Sequence, residues 1–109
     1  LQAVHAEPHR NWTLTELSRL AGQSRSSFAA RFKQRVGVAP LDYLTRWRMR
    51  LAAGKLRRGG EPVSSIGAAL GYRSDSAFGA SFRRIYGTSP ARYRSDHRQN
   101  ASGATLERA

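Results

Sequence analysis

Apolar positions along the chain recur at helical spacing, and they do so twice. Leu14, Leu17 and Ala21 lead to Gly22, and Val63, Ile66 and Leu70 lead to Gly71 with a constant offset of 49. Past the glycines the offset becomes 50: Phe28, Phe32, Gly37 and Pro40 are matched by Phe78, Phe82, Gly87 and Pro90. One residue has therefore been inserted within 72–75. Two copies are too few for a stacked solenoid, so the pattern is one supersecondary unit used twice.

Each copy reads as helix, tight turn, helix, glycine stop. In the first, Thr13 and Glu16 have capping-box spacing, and Trp12 before the cap can pack on Leu17 as a hydrophobic staple. A helix is expected over about 14–21. Gly22 gives the turn its backbone freedom, and Ser24 can cap the next helix. There Phe28, Phe32 and Val36 form one apolar stripe at i, i+4, i+8, and Gly37 ends the helix. The second copy predicts helices over about 63–70 and 75–86, with Phe78, Phe82 and Ile85 inward. Pro62, at its first cap position, has no side-chain acceptor. Ser18 and Gly67, each four residues before the turn glycine, are small enough for the two helices to cross closely.

Between the copies, residues 41–58 predict one linker helix with Leu41, Leu44, Met49, Ala52 and Leu56 on a single face. Pro40 stands where a helix can begin, and Gly59–Gly60 ends it. Residues 1–6 read as a helix, Pro90 opens a last one through about Arg98, and 99–109 has no periodicity and is expected to be disordered. The expected fold is all-α, with about seven helices in two helix-turn-helix subdomains joined by the linker. The first spans about 14–36 and the second about 63–86, within a domain over 1–98.

Charge changes the picture more than composition does. The 109 residues carry 19 Lys and Arg against 7 acids, a formal charge of +12, which calls for a polyanionic partner. All the cations but Lys33 and Lys55 are arginine. Genomic base composition can bias the choice of Arg over Lys, but it does not create the excess over acids. No cysteine is present, which removes disulfides and thiolate metal sites and suits a reducing cytoplasm. No apolar run is long enough for a membrane span or a signal-peptide core. The chain starts on Leu, already inside helical pattern, and is expected to be a piece of a longer protein with a domain before it.

The repeat carries a family resemblance. The run Leu17–Phe32, then Gly37-x-x-Pro40-x-x-Tyr43-Leu44 and Arg48-Met49-x-x-Ala52, resembles the AraC/XylS-type helix-turn-helix domain. So do Pro62-Val63-x-x-Ile66-x-x-x-Leu70-Gly71-Tyr72 and Phe78-x-x-x-Phe82-x-x-x-Tyr86-Gly87-x-x-Pro90-x-x-Tyr93-Arg94. The resemblance covers about residues 1–98. It implies sequence-specific binding of double-stranded DNA by a bacterial transcription regulator, with recognition helices 25–36 and 75–86 in successive major grooves. It further implies an effector or dimerisation domain elsewhere in the full protein, contact with RNA polymerase in many relatives, and action in the cytoplasm at the nucleoid. The isolated domain is expected to be monomeric. A linker of about 17 residues spans roughly 26 Å, and with the widths of the packed helices that approaches the roughly 34 Å between successive grooves.

On that reading the exposed early positions of the recognition helices face the bases. They are Ser26, Ser27, Ala29, Ala30 and Lys33 in the first, and Asp75, Ser76, Ala77, Gly79, Ala80 and Arg83 in the second. Several are small where well-known relatives carry long polar side chains. Bidentate readout is then scarce, and thymine methyls, bridging water and DNA shape carry more of the specificity. Ser24, Arg25, Arg31, Arg46, Arg73, Ser74 and Arg84 are phosphate candidates, with helix-start amides helping. Arg83 could serve phosphate as well as base. Arg48, between apolar faces of the linker, is expected to be structural, and Arg92, Arg94 and Arg98 to be solvated.

The competing assignments are weaker. Phe28, Phe32, Phe78 and Phe82 could stack single-stranded bases, but their spacing favours a core. His5 and His9 suggest a metal, but Pro8 interrupts the helix between them and no carboxylate pattern joins them; neither metal nor cofactor is expected. No nucleophile–base pair or phosphate-cradling loop is recognisable, so the chain is not expected to be an enzyme. The alternative to duplex DNA is a basic helical module for RNA or an anionic membrane. RNA modules expose aromatics on sheets or loops, and membrane-surface helices need an apolar face without an internal partner.

Overall fold

The computed structural model describes residues 2–98; Leu1 and the expected tail over 99–109 lie outside the described residues. Among the described residues all regular structure is helical. The elements are α1 (Gln2–Ala6), α2 (Leu14–Leu20), α3 (Arg25–Val36), α4 (Pro40–Arg58), α5 (Val63–Ala69), α6 (Asp75–Tyr86) and α7 over residues 90–98. The chain divides into two compact units, Leu1–Arg48 and Met49–Ala109. The division falls within α4, which runs unbroken for 19 residues from Pro40.

The first unit is built on a small core of Val4, Trp12, Leu17, Phe28 and Leu44, edged by Ala3, Leu14, Phe32 and Trp47. Trp12 is buried with Leu17, as a staple requires, and its indole Nε1 donates to the Glu7 carbonyl at 2.9 Å. Thr13 caps α2 by accepting from the Glu16 amide at 3.1 Å. The Glu16 carboxylate accepts in turn from the Thr13 hydroxyl at 3.3 Å and from Arg10 at 2.7 Å. Arg48 is structural: its guanidinium donates to the carbonyls of Pro8 at 2.6 Å and Arg10 at 2.7 Å, holding the loop before α2. The Arg10 carbonyl also accepts from the Trp12 amide at 2.9 Å, and hydrogen bonds that involve a charged group are each worth about 1.5–3 kcal/mol.

Two expectations for this unit need correction. Val36 and Leu41, read as core-facing, are 46% and 43% exposed. Both keep the helical period of their stripe. However, Val36 is the last residue of α3 and Leu41 the second of α4, and the stripe there runs past the end of the core it serves.

The second unit has the larger core: Met49, Ala52, Ala53, Leu56, Ile66, Leu70, Phe78, Phe82 and Tyr93, with Leu51, Val63, Tyr72 and Ile85 against it. Helices α5 and α6 meet closely at Gly67, where a Cβ would stand 2.8 Å from Phe78 Cγ. Ser18, at the matching place in the first unit, is buried with its side chain intact and donates to the Thr15 carbonyl at 2.9 Å. The two turns share one closure, Gln23 N–H to Ser18 carbonyl at 3.0 Å and Tyr72 N–H to Gly67 carbonyl at 3.1 Å. Both pass through a left-handed glycine, Gly22 at φ 67° and Gly71 at φ 92°, a region that costs a residue with a side chain about 1 kcal/mol or more. The extra residue of the second turn leaves Tyr72 packed on Phe78, ring centroids 5.6 Å apart.

Arg94, expected to be solvated, is instead a structural residue. It donates to the carbonyls of Leu56 and Glu61 and so pins the connection between α4 and α5. The repeat also reaches further than the apolar spacing indicates. His5 of α1 shares a 2.7 Å hydrogen bond with the Tyr43 hydroxyl, and Arg57 of α4 donates to the Tyr93 hydroxyl at 2.7 Å. Tyr43 and Tyr93 each follow their proline by three residues. Thus α1 in the first unit and the end of α4 in the second do the same work.

Candidate nucleic-acid interface

Helices α3 and α6 are each 12 residues long, start from a serine and end at a glycine. Ser24 accepts from the Ser27 amide at 3.3 Å and Ser74 from the Ala77 amide at 3.1 Å. Each cap satisfies one of the free amides of its first turn, typically for about 1 kcal/mol. The remaining amides keep partial positive charge at the helix start, where phosphate oxygens bind well.

The apolar face of each helix is committed to its core. Phe78 and Phe82 are fully buried, Phe28 is 6% exposed, and Phe32 is half-buried. Their rings pack on one another and on Tyr43, Tyr72, Tyr86 and Tyr93. Burial leaves Phe78 and Phe82 no open face for a single-stranded base to stack on. Burial, followed by the neighbouring Tyr93, also lifts the Tyr86 hydroxyl above its ordinary pKa range.

The opposite faces are open. Ser26, Ala30 and Lys33 are exposed on α3, with Ala29 half-buried beside them. These four stand at i, i+4, i+7 and i+3 and so share one stripe. Ser76, Ala80 and Arg83 are exposed on α6 with Gly79 half-buried, in the same register. Asp75 and Ala77 are exposed at its first turn, as Ser27 is on α3. The fold does not bring Arg31 to the stripe; it lines a hollow with Ala21, Gln23, Phe28, Phe32, Arg35 and Val36. Arg25, Arg73 and Arg84 are exposed at or near the open faces. Arg46 pairs with Asp42 one turn earlier at 3.1 Å, an exposed pair worth about 0.3–0.5 kcal/mol and thus readily displaced by a phosphate. Sequence reasoning passed over Gln34, which is exposed one turn beyond Ala30. The i+4 step from Ala30 was the available signal for it.

Charge separates the two faces. α3 carries Arg25, Arg31, Lys33 and Arg35 and no acid. The acids of its unit are held in ion pairs elsewhere: Glu7 and Glu16 with Arg10, Asp42 with Arg46. α6 opens on Asp75, an exposed acid in its first turn, where a carboxylate suits the helix dipole. His5, weighed as a metal ligand, is occupied with Tyr43 and packs on Trp47 at 4.4 Å. Among the described residues, no helix is long and apolar enough to cross a membrane.

The family described as "Helix-turn-helix domain" matches residues 17–96. A Streptomyces antibioticus protein described as an AraC-like transcription regulator is 47% identical over 94 residues, covering 86% of this chain and 31% of the relative. RclR of Escherichia coli K12, an RCS-specific HTH-type transcriptional activator, is 38% identical over 101 residues, covering 93% of this chain and 36% of the relative. The crystal structure of the DNA-binding domain of AdpA, a global transcriptional factor, in complex with a target DNA is similar with a TM-score of 0.85. Its identity is 31%, over 91% of this chain and 89% of that one. The chain spans about a third of the length of these curated relatives.

Proposed function

The chain belongs to the AraC-type helix-turn-helix family, and we propose on that premise that it is the duplex-DNA-binding part of a bacterial transcription regulator. The observation that carries the proposal is the repeated recognition element: a serine-capped 12-residue helix with its aromatics buried and its opposite stripe open. Ser26, Ser27, Ala29, Ala30 and Lys33 of α3 face bases in one major groove. Asp75, Ser76, Ala77, Gly79, Ala80 and Arg83 of α6 face bases in the next. Ser24, Arg25, Arg73, Ser74 and Arg84 take phosphates at the rims, Arg46 joins them by leaving Asp42, and Arg31 reaches a phosphate from the flank. The AdpA domain, whose solved complex holds its target DNA, supports the placement by analogy. The full-length regulator then works in the cytoplasm at the nucleoid, and combines this domain with an effector or dimerisation domain and a contact to RNA polymerase.

A net charge of +12 makes salt the direct test. If about 6–10 phosphates are contacted, duplex affinity falls with a log–log salt slope of about −5 to −9. Duplex DNA is expected to outcompete structured RNA and anionic vesicles at physiological salt. A slope near zero, or tighter binding to RNA or vesicles, would contradict the proposal.

A further inference from the structure

We infer that the first unit reads a thymine methyl group through an apolar hollow at the start of α3, with Leu14 and Ala29 as its specificity-determining residues. The inference rests on the duplex reading above and deepens it. The hollow is open to solvent and is lined by Leu14, Ser24, Arg25, Ser26 and Ala29. Leu14 comes from the first turn of α2 and Ala29 from the second turn of α3; both are half-buried, so hydrocarbon forms the floor. The polar groups around it leave little for a base edge to pair with. The Ser24 oxygen is engaged by the Ser27 amide at 3.3 Å, and Ser26 is too short to span a bidentate contact. Arg25 is exposed at the rim, and no hydrogen bond or ion pair holds it among the described residues. It is therefore available to fix the adjacent phosphate.

In the major groove the thymine C5-methyl is the apolar group a base pair presents, and an alanine side chain is a natural contact for it. A hollow with a methyl floor, serines at the side and a guanidinium at the rim suits a thymine beside its backbone phosphate. The second unit differs at the corresponding places. Its residues there are Val63, Asp75, Ser76 and Gly79, so the alanine methyl is missing and a carboxylate replaces the guanidinium. A Cβ at Gly79 would meet nothing within 4 Å, so the second site stays open where the first is lined. A carboxylate at that rim selects a base amino group, such as cytosine N4, over a methyl.

The test uses duplexes selected by this chain from a random pool, with each thymine of the protected site replaced in turn by uracil, which removes the C5-methyl alone. Wild type is expected to lose about fourfold in affinity, the equivalent of one buried methyl, at one or two adjacent thymines. Ala29→Gly, checked for helix content by circular dichroism, is expected to erase the uracil penalty at those positions and at no other. Ala29→Ser keeps the Cβ while presenting a hydroxyl, and is expected to erase most of it; this variant carries the test if the glycine variant is unfolded. Selected sites without thymine, or a scan with no penalty above about twofold, would overturn the inference, as would a penalty that survives in the Ala29 variants. Failure to select any duplex at all would instead overturn the underlying duplex reading.

Discussion

The two units carry the same helix-turn-helix outline but build it on cores of different size. The second relies on aromatic packing: Phe78 and Phe82 are fully buried, and Phe82 lies against Tyr86 and Tyr93 at 4.8 and 5.3 Å. The first has fewer buried residues and exposes Leu20, Val36 and Leu41. Polar pins serve both units: the Thr13 cap, the Trp12 indole on Glu7 and Arg48 on two carbonyls in the first, and Arg94 on two carbonyls and Arg57 on Tyr93 in the second. With the acids of its unit held in ion pairs on other elements, α3 carries no acid. The lesson is that the fold tolerates a small core wherever polar contacts fix the loops that hold the recognition helix.

The largest effect expected from this contrast is at the matched phenylalanines. Phe82→Ala, removing a fully buried ring, should destabilise by about 3–5 kcal/mol. Phe32→Ala, at a half-buried position, should cost about 1–2 kcal/mol, in proportion to the smaller apolar area lost. Urea denaturation of both variants checks the difference. Equal losses would mean that the two cores are not of different quality.

A smaller effect is expected at the helix crossings. Gly67→Ala puts a methyl 2.8 Å from Phe78 Cγ, near the root of a side chain that cannot swing away. Overpacking outweighs the helix propensity gained over glycine, for a net loss of about 1–2 kcal/mol. Ser18→Ala in the first unit keeps the existing Cβ and gives up one hydroxyl bond, so it should cost under about 1 kcal/mol. Thermal unfolding of the two variants ranks them. Equal losses or the reverse order would contradict the tighter crossing at Gly67.

Much of this contrast was legible in the chain itself. The glycine and phenylalanine offsets located both turns and both recognition helices, since caps and apolar periods are local properties. Thr13 and Ser24 announced helix starts for the same reason. Exposure at Val36 and Leu41 was not legible, because a periodic stripe names a face without saying where its packing partner ends. Arg94 was misjudged and Arg48 was not. Both bind carbonyls more than thirty positions away, but Arg48 lies between apolar positions on its own helix, and that local signal was readable. The shared role of His5 and Arg57 escaped notice because the two side chains have no chemistry in common beyond a hydrogen bond to tyrosine. At the candidate site the open stripe followed from helical spacing. The hollow that joins Leu14 to Ala29 did not, because it depends on how α2 and α3 cross.

On the proposed function α3 and α6 both face DNA, and the acid-free α3 dominates base readout. A footprint with matched affinities for Ala30→Glu and Ala80→Glu, after each is confirmed to be folded, tests it most directly. Ala30→Glu places charge and bulk on the first stripe and is expected to abolish specific binding. Ala80→Glu is expected to weaken binding less and to narrow the footprint by about one helical turn of DNA. Equal and complete loss in both would contradict the asymmetry, and undiminished binding in both would contradict the assignment of the recognition helices.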